Sequence, residues 1–134
     1  MNTITDQNSI TTDLDLSPEE MALAAAEAID DKRGADIVIL DVGELLRIAD
    51  VFVIATGTSK RQIQSLAEEV EDQLTLYDRK PLRVEGKDHG DWVLVDYGDL
   101  VVHLFQPESR KFYSLERLWG DAPRIPWEPY IPPA

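Results

Sequence analysis

No cysteine occurs among the 134 residues. That excludes a disulfide framework, a Cys-ligated zinc or iron–sulfur site and a thiol nucleophile, and it fits a reducing, cytoplasmic setting. Long apolar runs are missing too. Nothing approaches the roughly 18–20 residues of a membrane span, so no membrane is expected as a partner. The opening Met-Asn-Thr-Ile-Thr-Asp has neither the basic nor the apolar region of a secretory signal, and export is not expected. Basic residues are few, 13 Lys and Arg against 26 Asp and Glu, for a net charge of −13. Eight of the acids precede the first base, Lys32, so the excess is concentrated at the start without being confined to it. Gripping a phosphate backbone takes clustered Lys and Arg, which disfavours direct nucleic-acid binding. A basic protein partner suits this charge better, the alternative being acidity that serves solubility alone. There are two histidines, His89 and His103, with no short metal-ligand spacing between them, so neither a metal nor a cofactor is expected.

The length suits one domain. Residues 1–16 are rich in Thr, Asp, Asn and Gln, with too few apolar residues to offset the entropy of ordering, and read as a disordered acidic arm. From Gly120 onward Pro123, Pro126, Pro129, Pro132 and Pro133 exclude helix and central strand, which predicts an extended tail over 120–134 that Trp127 and Tyr130 can dock. The folded domain is then residues 17–119.

Ser17-Pro18-Glu19-Glu20 is a capping box with Pro at the first helical position, and predicts a helix to about Lys32 with Leu23, Ala26 and Ile29 on one face. Two short β-branched runs, Asp36–Asp41 and Val51–Thr56, predict strands buried on both faces. After the turn Gly57-Thr58-Ser59, a second capping box of Ser59 with Gln62 opens a helix whose Ile63, Leu66, Ala67, Val70 and Leu74 form one apolar stripe. Pro81–Glu85 predicts a short strand, and Trp92–Asp96 with Leu100–Phe105 a hairpin around Tyr97-Gly98-Asp99. Glu108 to about Leu118 predicts one helix, with Phe112, Leu115 and Trp119 inward and Arg110, Tyr113, Glu116 and Arg117 on the less apolar side. The order α-β-β-α-β-β-β-α defines an α/β domain built on a single five-stranded sheet.

Catalytic chemistry is sparse in this pattern. The Gly57-Thr58-Ser59 turn between strand and helix could hold an anion, but it lacks the glycine spacing of a P-loop or a dinucleotide fold. The paired strand carboxylates of a nucleotidyl-transfer site are absent: Glu69 and Glu71 lie two apart on a helix and face different sides. Asp96 and Asp99 flank a turn, where Asp commonly accepts from backbone N–H groups, and no nucleophile accompanies them. His103 shares a strand face with Val101 and Phe105 and reads as a half-buried sheet histidine. Trp92 shares a face with Leu94 and Asp96 and lies beside Asp91. An aromatic ringed by charge is the pattern of a binding hot spot, though it also suits a residue that merely caps the core.

Six ordered blocks carry a family resemblance: Ala35–Val42, Ala49–Ser59, Val84–Gly86, Asp91–Asp96, Gly98–His103 and Arg110–Trp119. Together they span almost all of residues 17–119, and on them the chain resembles the ribosomal silencing factor family, also called Iojap or RsfS. The resemblance implies a mixed five-stranded sheet flanked by helices, related to nucleotidyltransferases but without their catalytic carboxylates. It implies a non-enzymatic factor that binds the large ribosomal subunit through ribosomal protein L-fourteen and blocks joining of the small subunit when nutrients are scarce. Members often self-associate, which makes a homodimer off the ribosome an alternative state. Asp91, Trp92, Asp96, Tyr113 and Glu116 lie within these blocks and are the expected partner surface. The rival reading is a nucleotide-binding or nucleotidyl-transfer enzyme that uses the Gly57-Thr58-Ser59 turn with Asp96 or Asp99.

Overall fold

The computed structural model describes residues 16–46 and 48–129, so the expectation for residues 1–15 and the docking of Tyr130 lie outside it. Leu16, at the end of the expected arm, packs against the core, and its carbonyl accepts from Arg79 Nη2 at 3.0 Å. Helix α1 (Pro18–Asp31) opens on the expected capping box: Ser17 Oγ accepts from Glu20 N–H and Glu20 Oε1 from Ser17 N–H. Its inner face differs from the expected one. Met21, Ala22, Ala25, Ala28 and Ile29 are buried with Ala26, while Leu23 is exposed. The small alanine side chains let α1 lie close to its helical neighbour, and periodicity alone could not choose between two overlapping apolar stripes.

Strand β1 (Ala35–Asp41) leads through a short helix α2 (Gly43–Leu46), which the sequence reading did not foresee, into β2 (Val51–Thr56). Helix α3 (Lys60–Thr75) follows, then β3 (Arg83–Glu85), β4 (Trp92–Asp96) and β5 (Leu100–Phe105). The sheet runs β1-β2-β5-β4-β3, with β2 and β5 parallel and the other neighbours antiparallel. It is the expected mixed five-stranded sheet flanked by helices. Between β3 and β4 the chain turns at Gly86, whose φ of +90° suits glycine and where a Cβ would collide with the carbonyl oxygen of Trp92.

Both central strands are buried throughout, but β1 is not buried on both faces as expected. It is an edge strand whose register shifts between Ala35 and Val38, where Asp36 takes a positive φ of 50°, and only Ile39 and Leu40 are buried. The proline-containing C-terminal segment covers that edge. Asp41 N–H donates to the Pro123 carbonyl (2.8 Å), Ile125 N–H donates to the Ile39 carbonyl (2.9 Å), and Arg124 bridges Leu40 antiparallel. Prolines fit here because an outermost strand needs only half of its backbone donors.

Side-chain alternation splits the core in two. On one face Ile39, Val53, Ala55, Val93, Val95, Val102 and Leu104 pack under α1 and α3. On the other, Leu40, Phe52, Ile54, Val101 and Phe105 meet only short elements. The last predicted helix is in fact two, α4 (Pro107–Tyr113) and α5 (Leu115–Leu118), separated by Ser114 in the left-handed conformation (φ 48°, ψ 50°). As a result Phe112, expected inward, is 80% exposed, while Leu115 and Trp119 do reach the second core.

Candidate functional site

The sheet face opposite α1 and α3 is the less covered one, and the aromatic side chains gather there. Antiparallel register places Trp92 opposite Phe105, Leu94 opposite His103 and Asp96 opposite Val101. The Trp92 ring stacks on Phe105 at 5.0 Å between centroids and meets Tyr113 from α4 at 4.5 Å. Phe52 of β2 sets its edge against His103 at 4.6 Å. Such ring pairs contribute about 0.5–1.5 kcal/mol each beyond the area they bury.

Trp92 Nε1 donates to His103 Nδ1 at 3.2 Å. An imidazole that accepts at Nδ1 is neutral and carries its proton on Nε2. Burial favours that state and pushes the His103 pKa down to about 4, with nearby Asp96 pulling weakly the other way. His103 is buried, at 5% exposure, rather than half-buried, and its Nε2 has no partner among the described residues. It lies on the wall of an apolar groove of about 360 Å³ between β2, β5 and β4, lined also by Leu46, Ala49, Phe52, Leu94 and Val101. Two strongly exposed apolar residues, Ile48 and Leu82, border the groove. Contiguous exposed apolar area is the feature that marks interaction surfaces, and these two residues extend the apolar lining of the groove outward.

The five expected surface residues are not one cluster. Trp92 and Tyr113 touch. Asp91 is exposed at the entry of β4, while Asp96 closes the strand's far end, where Oδ1 accepts from Gly98 N–H (2.8 Å) and Oδ2 pairs with Arg83 (3.1 Å). Glu116 is turned inward to a two-pronged pair with Arg110, Nε to Oε1 at 2.9 Å and Nη2 to Oε2 at 2.8 Å, which holds its carboxyl below the usual range. Arg110 Nη1 also donates to Thr56 Oγ1 (2.7 Å) and to the Asp36 carbonyl (2.6 Å). Of the four residues expected on the less apolar helix side, Arg117 and Tyr113 are exposed, Tyr113 while touching Trp92, whereas the break at Ser114 lets Arg110 and Glu116 turn to each other and become partly buried. Sequence reasoning missed Phe52, Ile48 and Leu82. For Phe52 a signal existed, since it alternates onto the same face of β2 as Ile54.

The rival site is built differently from an anion cradle. In the Gly57-Thr58-Ser59 turn, Gly57 N–H donates to the Phe105 carbonyl (2.9 Å) and Thr58 N–H to Gln62 Oε1 (2.7 Å). Ser59 Oγ accepts from Gln62 N–H (3.1 Å), but the Gln62 side chain reaches Thr58 instead of Ser59, so the expected capping box is only half formed. Gln62 Nε2 then donates to the Arg33 carbonyl (3.0 Å), tying the turn to the end of α1. Asp99 accepts through its backbone carbonyl from Asp50 and Val51 N–H. Among the described residues no group of three or more His, Asp or Glu is placed to hold a metal, and no helix is long and apolar enough to cross a membrane.

Comparison with known proteins agrees with this architecture. The family model described as ribosomal silencing factor during starvation matches residues 15–133. The ribosomal silencing factor of Bacillus subtilis (strain 168) is 48% identical over 99 residues, covering 74% of this chain and 84% of that protein. The mouse protein named mitochondrial assembly of ribosomal large subunit protein 1 is 38% identical over 87 residues, 63% of this chain and 38% of its own length. A crystal structure of a Chromobacterium violaceum protein superimposes with a TM-score of 0.76 at 39% identity, covering 78% of this chain and 88% of that one.

Proposed function

Because the chain belongs to the ribosomal silencing factor family, we propose that it binds the large ribosomal subunit and represses translation by steric means. In this reading it docks through ribosomal protein L-fourteen and keeps the small subunit from joining when nutrients are scarce. Occlusion asks for affinity and bulk, and for no bond making or breaking. The docking face is the open side of the sheet, with Trp92 as its aromatic anchor, Tyr113 beside it, Asp91 and Asp96 at the ends of β4, and Glu116 holding α5 in place through Arg110. The observation that carries the assignment is that face itself: an aromatic cluster next to an apolar groove whose border residues Ile48 and Leu82 are 80% and 74% exposed. A half-buried tryptophan flanked by carboxylates combines the dry centre and charged rim that strong interfaces use. The net charge of −13 favours a basic partner and speeds encounter with one. The name of the mouse relative supports the large subunit as the target.

The test is sedimentation with purified subunits. The protein should co-sediment with isolated large subunits and not with small ones, in the presence of chelator and without nucleotide. Equal recovery with both subunits, or a requirement for nucleotide and divalent metal, would return the enzyme reading to the front.

A further inference from the structure

A second site lies away from the aromatic face, at the carboxyl ends of the parallel strands β2 and β5. There a crevice of about 620 Å³ opens between the start of β1 and the α4–α5 pair, lined by Asp36, Thr56, Arg110, Lys111, Glu116 and Arg117 among others. Ligands of open α/β sheets settle outside the carboxyl ends of parallel strands, and this volume is in the range of small-ligand pockets. Its floor is internally neutral, since the Arg110 fork cancels the Glu116 carboxylate while Nη1 is spent on Thr56 and the Asp36 carbonyl. What remains on the walls is an excess of positive charge. Lys111 and Arg117 form no ion pair among the described residues. Apart from the paired Glu116, Asp36 is the one carboxylate that lines the crevice beside them. Thr56 adds a buried hydroxyl whose oxygen already accepts from Arg110, leaving its hydrogen to be donated. Lys111 and Arg117, two cations without an ion pair against one carboxylate, leave the crevice a net positive charge that an anion would offset, in a chain with twice as many acids as bases.

The geometry points to a phosphate-binding site in this crevice, with Lys111 and Arg117 as its principal contacts. The phosphate can come from a free nucleoside polyphosphate or from an RNA backbone, and the charge pattern serves either. The site does not depend on the aromatic face and stands or falls separately from the proposed ribosomal role.

Calorimetric titration of the full chain with pyrophosphate, with GTP in the presence of chelator, and with a short RNA duplex tests it. At least one probe is expected to bind at submillimolar concentration, to weaken as salt rises, and to lose about tenfold or more in affinity in the double variant Lys111→Glu/Arg117→Glu. Preference for GTP assigns the phosphate to a free nucleotide, and preference for the duplex assigns it to RNA. Should the charge reversal lower the melting temperature, Lys111→Ala/Arg117→Ala makes the same comparison without added acid. Absence of binding by all three probes at millimolar concentration, or undiminished binding by a folded variant, overturns the assignment.

Discussion

Trp92 and His103 hold each other in place, so each can be probed through the other. The indole N–H has one acceptor, His103 Nδ1, and the ring rests on Phe105 and Tyr113. If the indole is the docking anchor, Trp92→Ala should weaken large-subunit binding by about 2 kcal/mol or more while the protein stays folded. Unchanged affinity in a folded variant would remove Trp92 from the interface. The histidine makes a different prediction. Its pKa is about 4 in the fold against 6.5 for the free side chain, so between these values the unfolded chain binds more protons than the native one. Stability is then full above about pH 6.5 and falls as the pH drops toward 4, by on the order of 3 kcal/mol at most. His103→Phe keeps an aromatic ring in the site and removes the titration. Its melting temperature should fall less than that of the wild type between about pH 7 and about pH 5, and parallel falls would assign the acid sensitivity to other groups.

At the scale of elements, the most informative feature is the pair of short helices, which are too short to persist alone. Arg110 fastens them to the sheet, with partners six residues ahead in Glu116, 54 away in Thr56 and 74 away in Asp36. Arg110→Ala should therefore cost about 2 kcal/mol, because a partly buried carboxylate and a buried hydroxyl lose their donor together. Glu116→Gln, which can still accept one hydrogen bond, should cost less. Denaturant midpoints followed by tryptophan fluorescence measure both, and equal costs for the two variants would show that the fork contributes nothing beyond a single bond. The same fastening explains what the sequence could reveal. Strands β2, β4 and β5 and helix α3 were legible because β-branched runs, a three-residue turn and one apolar stripe each act locally. The break between α4 and α5 was not, since Ser114 in the left-handed region carries no residue-type signal of the kind glycine or asparagine would give. At the candidate site, alternation placed Trp92, Leu94 and Asp96 on one face. Tyr113 against Trp92 depends on the helix break, and His103 as the indole's acceptor depends on antiparallel register, and neither can be read from a linear pattern.

The whole molecule is acidic, with one sheet face under the long helices and an aromatic face opposite, and its proposed action is a matter of occupancy. If it silences by covering a subunit-facing surface, joining of subunits should fall in proportion to the fraction of large subunits it occupies, with excess small subunits competing. Light scattering of subunit association against protein concentration measures this directly. Inhibition should persist with chelator and without nucleotide, and saturate near one copy per large subunit. It should also weaken at higher salt, because contacts between an acid-rich surface and a basic protein are screened beyond about 8–10 Å near physiological ionic strength. Salt sensitivity that disappears when Asp91 and Asp96 are both replaced by Asn would trace the steering to the ends of β4. Inhibition that continues at strongly substoichiometric protein would mean turnover rather than occlusion, since a steric block can silence no more subunits than it covers.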